Sequence, residues 1–136
     1  MSSISTIAQS GMNAATRRIE VSASNVANVA STGTLPDATG AVPAGAARAY
    51  APLVLVQTAS AGGGTATSVA TAKPSTTAVS DPQAPFANAS GLVAAPNVDL
   101  SQEMVGQMIA SYSFAANAKL MRTDDRMTKA LLDIMA

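Results

Sequence analysis

Small and apolar residues recur at alternating spacings of four and three near both ends of the chain, and this pattern predicts a long amphipathic helix at each end. The spacing averages about 3.5 residues, so each stripe stays on one side of its helix for several turns. The first stripe comprises Ala8, Met12, Ala15, Ile19, Ser22, Val26 and Val29. The second stripe comprises Val105, Ile109, Tyr112, Ala116, Leu120, Met127, Leu131 and Ile134.

Breakers and capping residues set the ends of these two predicted helices. The first helix is expected to end by Gly33, which can adopt the left-handed conformation of a C-cap. Asp99 is the predicted N-cap of the second helix, which runs from Leu100 nearly to Ala136. The mixed charges between 122 and 126 are interpreted as a solvated face of that helix.

The middle of the chain has the pattern of a small β element. The strongest strand candidate is Tyr50 to Thr58, which contains four consecutive large apolar residues and is followed by the three glycines at 62–64. The β-branched stretch from Thr65 to Ala72 can return as the second strand of a hairpin. Residues 76–79 can form one more short extended piece, whereas the prolines between 81 and 96 predict an irregular segment.

These elements predict a mainly α fold. We expect the long N- and C-terminal helices to pack as an antiparallel coiled coil, with a small β-hairpin and an irregular proline-rich segment between them. The corresponding regions are an N-terminal axial helix at 1–33, a middle segment at 34–98 and a C-terminal axial helix at 99–136.

Composition favours assembly over catalysis. Apolar residues make up 48% of the chain, but many are alanine, and there are two Phe, two Tyr and no Trp, so a compact core would be thin. The charges of the 8 basic and 8 acidic residues cancel, so the chain has no excess of positive charge to attract nucleic acid. With neither Cys nor His, the chain offers no nucleophile–base pair and no thiolate metal site, so we expect no enzyme activity, no metal and no cofactor. We also expect no signal peptide and no membrane span.

Several motifs resemble the bacterial flagellar rod and hook proteins. Residues 24–28, Ser-Asn-Val-Ala-Asn, are similar to the Ser-Asn-Leu-Ala-Asn signature of that axial family. Residues 81–85 (Asp-Pro-Gln-Ala-Pro), 88–93 (Asn-Ala-Ser-Gly-Leu-Val) and 96–99 (Pro-Asn-Val-Asp), then Glu103-Met104, resemble a longer stretch typical of proximal-rod proteins of the C type. Residues 111–113 and 116–117 fit the pattern that follows, although Ala84 and Leu92 replace the His and Tyr of the usual sequence.

This resemblance implies a structural subunit of the flagellar basal-body rod, the drive shaft that crosses the periplasm. Its implied partners are copies of itself, other rod proteins and the flagellar type III export apparatus, which passes such proteins without a cleaved leader. The implied mechanism is polymerisation through the terminal helices into a tube around the export channel. Motility is expected to require this assembly. The alternative is a coiled-coil adaptor or a translocator of another secretion system.

The residues expected to form axial packing or subunit interfaces come mostly from the two stripes. Two of them, Asn25 and Asn28, have two possible roles: ordinary helix-end residues, or polar residues that set the register between subunits. The full predicted set is Ala8, Met12, Ala15, Ile19, Asn25, Val26, Asn28, Met104, Met108, Ile109, Tyr112, Ala116, Asn117, Leu120, Met127, Leu131 and Ile134.

Overall fold

The computed structural model of the chain describes residues 3–37 and 40–135. Within them the chain forms two helices and four strands. The helices are α1 (Ser3–Ala27) and α2 (Leu100–Met135), and the strands are β1 (Leu53–Ala59), β2 (Thr65–Thr71), β3 (Thr76–Ser80) and β4 (Leu92–Pro96).

Side-chain hydrogen bonds cap the C-terminal end of α1 and the N-terminal end of α2. The Asp99 carboxylate accepts hydrogen bonds from the backbone N–H groups of Ser101 (2.9 Å) and Gln102 (3.1 Å), which confirms Asp99 as the N-cap of α2. At the end of α1, Asn28 Nδ2 donates to the carbonyl oxygen of Ser24 at 2.8 Å and satisfies one of the last helix carbonyls. Gly33 is not a left-handed cap: its N–H and C=O pair with Ala94 at 2.9 and 2.8 Å.

Strands β1 and β2 form a two-stranded sheet, and the turn between them is the predicted glycine turn. The N–H of Ser60 bonds to the carbonyl oxygen of Gly64 at 3.2 Å, and that of Gly63 bonds back to Ser60 at 3.0 Å. Gly63 and Gly64 have φ angles of 84° and 83°, which favour glycine because it has no Cβ. Backbone hydrogen bonds and glycine conformations within residues 60–64 therefore close this hairpin.

Strands β3 and β4 form a second, antiparallel sheet. The short extended piece predicted at 76–79 lies in β3, whereas β4 and the pairing of the two strands were not predicted. The register of this sheet pairs Thr76 with Pro96 and Ser80 with Leu92. The expectation of an irregular segment is confirmed for residues 81–91, which lie in no helix or strand, and is wrong for residues 92–96. A proline is tolerated at the end of a strand, where its missing N–H interrupts no ladder. Val93, the second residue of β4, is fully buried.

The chain divides into two compact units. Unit 1 contains Met1–Val21, Leu55–Val69 and Met104–Ala136, and unit 2 contains Ser22–Val54 and Ala70–Glu103. The buried apolar residues are small in both units, apart from Met12 in unit 1 and Val93 in unit 2. Those of unit 1 are Ala8, Met12, Ala14, Ala15 and Ala110, and those of unit 2 are Val93 and Ala94.

The expected packing of the terminal helices as an antiparallel coiled coil is wrong. The structure consists of two helices with two small antiparallel sheets, and the predicted apolar stripe of α2 lies in solvent. Ile109 is 49% exposed, Tyr112 is 71% exposed and Ile134 is 82% exposed, so these side chains do not act as knobs between the helices. The physical reason is that the buried side of α1 is formed mainly by small residues, which leave little depth for large partners.

Candidate subunit-assembly surfaces

In unit 1, α1 contacts α2 through small and polar residues. Ser5 Oγ donates a 2.5 Å hydrogen bond to Asp124 Oδ2, and a Cβ added at Gly11 would lie 2.7 Å from the side-chain nitrogen of Asn117. Because the contacts move back along α2 as they move forward along α1, the two segments run antiparallel here. Ala110, Asn117 and Asp124 follow one another at seven-residue intervals and form the side of α2 that faces α1.

Asp124 is 6% exposed, so the interpretation of residues 122–126 as a solvated face was wrong at this position. Its neighbour Asp125 is exposed, as that interpretation expected. A carboxylate can be buried at modest cost when hydrogen bonds satisfy it, and Ser5 supplies one of them. The pair therefore fixes the first turn of α1 against the second half of α2.

The hairpin turn packs against α1 in the same unit. Ser10 Oγ donates to the carbonyl oxygen of Ile7 at 2.7 Å and accepts from the N–H of Thr65 at 3.1 Å. Further along α1, Arg18 approaches Gln57 of β1 at 3.5 Å. The hairpin remains thinly covered, since most side chains of β1 and β2 are exposed.

A long apolar strip on α2 is exposed in unit 1. This strip is called the α2 apolar face. At 3.6 residues per turn, it is rotated about the axis of α2 by roughly a quarter turn from the side that contacts α1. Met104 and Met108, also exposed, flank its beginning. The face comprises Val105, Ile109, Tyr112, Leu120, Met127, Leu131 and Ile134.

In unit 2, the buried side chain of Asn25 joins three elements. Its Nδ2 donates to the carbonyl oxygen of Leu53 (2.9 Å) and to Glu103 Oε1 (2.6 Å). Its Oδ1 accepts from the N–H of Leu53 (2.8 Å) and from the hydroxyl of Tyr50 (3.1 Å). The Tyr50 hydroxyl also lies 2.9 Å from Ser24 Oγ. This set, here called the Asn25 cluster, ties the end of α1 to the start of β1 and the first turn of α2.

The predicted interface residues therefore divide by location. On α1, Ala8, Met12, Ala15 and Asn25 are buried, whereas Ile19 is exposed. Val26, Asn28 and Asn117 are partly buried, and Ala116 is exposed. The predicted α2 residues Met104, Met108, Ile109, Tyr112, Leu120, Met127, Leu131 and Ile134 are all exposed.

The predicted stripes of small and apolar residues did not include the polar side chains that hold the helices. Ser5, Asp124 and Glu103 make buried or partly buried contacts. A signal was present in the sequence: Glu103, Ala110, Asn117 and Asp124 are spaced by seven, as a helix seam requires.

Two other kinds of site were sought in the described part of the chain. Residues 3–37 and 40–135 contain no group of three or more carboxylates that could hold a metal ion. Within the same residues, neither helix combines the length and hydropathy needed to cross a bilayer.

Comparison with known proteins identifies the class to which these helical ends belong. The family model described as "Flagella basal body rod protein" matches residues 6–33, and the one described as "Flagellar basal body rod FlgEFG protein C-terminal" matches residues 89–134. Both ends of the chain thus match family models of flagellar rod proteins.

Curated relatives narrow the class to one family. The chain is 36% identical to the flagellar basal-body rod protein FlgC of Escherichia coli O6:H1 over 117 residues, which are 86% of this chain and 84% of the relative. The same figures hold for FlgC of Salmonella typhimurium. FlgC of Yersinia enterocolitica is 34% identical over 126 residues, 93% of this chain and 88% of the relative. The chain belongs to the FlgC family of flagellar basal-body rod proteins, and it is a structural subunit of the flagellar basal body.

Proposed function

We propose that the chain is built into the rod through the α2 apolar face, which neighbouring subunits cover in the assembled shaft. The observation that carries this proposal is the exposure of that face along most of α2, from Val105 to Ile134. Burial of apolar surface contributes about 25 cal/mol per Å², so several large side chains on one strip supply a strong drive for association. A continuous exposed apolar strip of this kind marks an interaction surface.

The buried residues of each unit support the same proposal. They are mostly alanine with a few polar side chains, and alanine contributes little buried area. The hairpin adds little, since an isolated pair of strands is marginally stable in water. Contacts with neighbouring subunits complete the burial that the single chain lacks.

We infer that the neighbours are copies of this chain and other rod proteins. Identical units that meet through different surfaces form a helical array when the rotation between them does not close. The predicted regions 1–33 and 99–136 are the axial segments in this proposal, and the side chains they would present to neighbours are those of the predicted interface set that lie in solvent. The role is purely structural, without catalysis.

The shaft so formed would lie in the periplasm and enclose the export channel, with delivery by the flagellar type III apparatus. This part of the proposal is supported by the membership of the FlgC family. Transmission of torque along the shaft requires many contacts that are individually weak and repeat in every subunit.

Charged substitutions on the α2 apolar face test the proposal. Ile109→Asp and Leu131→Asp are expected to abolish motility and incorporation into isolated basal bodies, because a carboxylate cannot be buried against apolar neighbours without pairing. The free chain should keep the helical content of the wild type, since both positions are exposed. Complementation of a strain that lacks the gene, with an immunoblot of purified basal bodies, gives both readouts.

Ser111→Asp is the matched control. Ser111 is exposed on the same helix, nearly opposite the α2 apolar face, and the substitution adds the same charge. It should leave motility intact. Normal motility and incorporation of both face variants would show that this face is not the subunit contact.

A further inference from the structure

The Asn25 cluster has a geometry that a carboxamide satisfies and that no other side chain of this size reproduces. An asparagine side chain has two N–H donors and an oxygen with two acceptor positions, and all four are used here. Because Leu53 offers both its N–H and its C=O to the same side chain, the orientation of the amide is fixed.

The two bonds to Leu53 have the form of a strand ladder. In an antiparallel sheet, a residue exchanges both its N–H and its C=O with one residue of the neighbouring strand. Leu53 is the first residue of β1, and Asn25 takes the place of that neighbour with its side-chain amide. The remaining donor reaches Glu103 in the first turn of α2, and the remaining acceptor position takes the Tyr50 hydroxyl.

We propose that Asn25 is a positioning residue that acts inside the subunit: its carboxamide completes the first rung of β1 and, through Glu103, fixes the first turn of α2 to the last turn of α1. Since its side chain is 2% exposed and has no hydrogen-bonding position left, it does not set the register between subunits. The first asparagine of the Ser-Asn-Val-Ala-Asn motif thus prepares the subunit for docking and does not itself contact the neighbour.

The conservative variant Asn25→Asp separates this role from simple space filling. An aspartate has nearly the same shape, but it turns an oxygen toward the carbonyl oxygen of Leu53 and the carboxylate of Glu103, where the native residue presents two N–H groups. We expect the unfolding equilibrium constant of the purified full chain to rise about tenfold or more, as for a buried group left without its hydrogen bonds. Urea titration followed by far-ultraviolet circular dichroism measures this change.

The partner variant Glu103→Gln distinguishes positioning through Glu103 from a general packing role. Alone it should change the unfolding constant little, because a glutamine oxygen still accepts from Asn25. Combined with Asn25→Asp, it should recover part of the loss, because the glutamine N–H₂ can donate to the new carboxylate while the Leu53 carbonyl oxygen still faces it. The matched control is Asn13→Asp, the same change at an exposed position of α1, which should match the wild type.

Motility gives a second and independent measurement of the same pattern. Asn25→Asp should reduce swimming and incorporation into basal bodies, and Glu103→Gln should restore both in part in the double variant, but it should not restore them in Ile109→Asp. Wild-type stability of Asn25→Asp, or purely additive effects in the double variant, would overturn the positioning role. If the free chain unfolds without a cooperative transition, the incorporation assay decides by the same criteria. Failure of the α2 apolar face variants to affect motility leaves this test intact, because it is made on the free chain.

Discussion

At the scale of single residues, buried polar side chains fix the positions of the helices within this subunit more than large apolar side chains do. Ser5, Ser22, Asn25 and Asp124 are all buried, whereas Val93 is the one bulky side chain described as fully enclosed among residues 3–37 and 40–135. In unit 2, Ser22 Oγ donates to the carbonyl oxygen of Glu103 at 3.3 Å, beside the Asn25 cluster. Polar contacts have strict geometry, and they suit a subunit whose helices must be presented in one arrangement.

The contact between Ser5 and Asp124 gives a prediction at this scale. Asp124→Ala is expected to lower the free energy of unfolding by about 1–3 kcal/mol, because it leaves the buried hydroxyl of Ser5 without this acceptor. Asp124→Asn should cost less, since an amide oxygen can still accept. The control is Asp125→Ala at the adjacent exposed position, which should be nearly neutral. Urea unfolding of the purified chain measures all three, and equal effects of Asp124→Ala and Asp125→Ala would contradict the prediction.

At the scale of secondary-structure elements, both helices were predicted, whereas the side of α2 that contacts α1 was misassigned. Periodicity and the Asp99 cap gave the extent of α2, because both signals are local. The packing side was misassigned because the large apolar stripe was taken as the seam, whereas the structure uses Ala110, Asn117 and Asp124. The exposed stripe is more apolar than the seam, as expected where partners outside the chain supply the cover.

The second sheet and the Asn25 cluster show the same limit. Strand β4 was missed because its end proline resembled a breaker, and because the irregular residues 81–91 separate it from its partner β3, so no local signal joins the two strands. The Asn25 cluster joins residues that are 28 and 78 positions apart, so no sequence window contains it. Family resemblance supplied the function, which periodicity and composition alone could not distinguish from other helical assembly proteins.

The two helical glycines of unit 1 provide a matched pair of substitutions. At Gly106 an added Cβ would meet nothing within 4 Å, so Gly106→Ala should stabilise the chain by about 1 kcal/mol through helix propensity. At Gly11 the added Cβ would lie 2.7 Å from the amide of Asn117, which bonds to the carbonyl oxygen of Ser113 at 2.8 Å. Gly11→Ala should therefore lose that gain, because Asn117 has to move.

A larger side chain at the same two positions sharpens this comparison. Gly11→Leu should destabilise the chain by about 1–3 kcal/mol as an overpacked contact, whereas Gly106→Leu should remain close to Gly106→Ala. Thermal or urea midpoints of the four variants suffice. Equal stability of the two leucine variants would mean that α1 and α2 do not approach closely at Gly11 in solution.

At the scale of the whole molecule, a chain of zero net charge with an exposed apolar face should associate through hydrophobic contacts and not through charge. The 8 basic and 8 acidic residues balance, so long-range attraction between copies is weak. We therefore expect the purified chain to self-associate with rising concentration, nearly independently of sodium chloride, since screening affects charged pairs and not apolar burial. Association should weaken on cooling, because the hydrophobic drive falls with temperature. Sedimentation velocity over a range of concentration, salt and temperature measures these dependences.

Ile109→Asp combined with Leu131→Asp should shift the chain to monomer, while Ser111→Asp should not. A steep fall of association with added salt, or an unchanged association of the double variant, would instead assign the contact to charged surfaces outside the α2 apolar face.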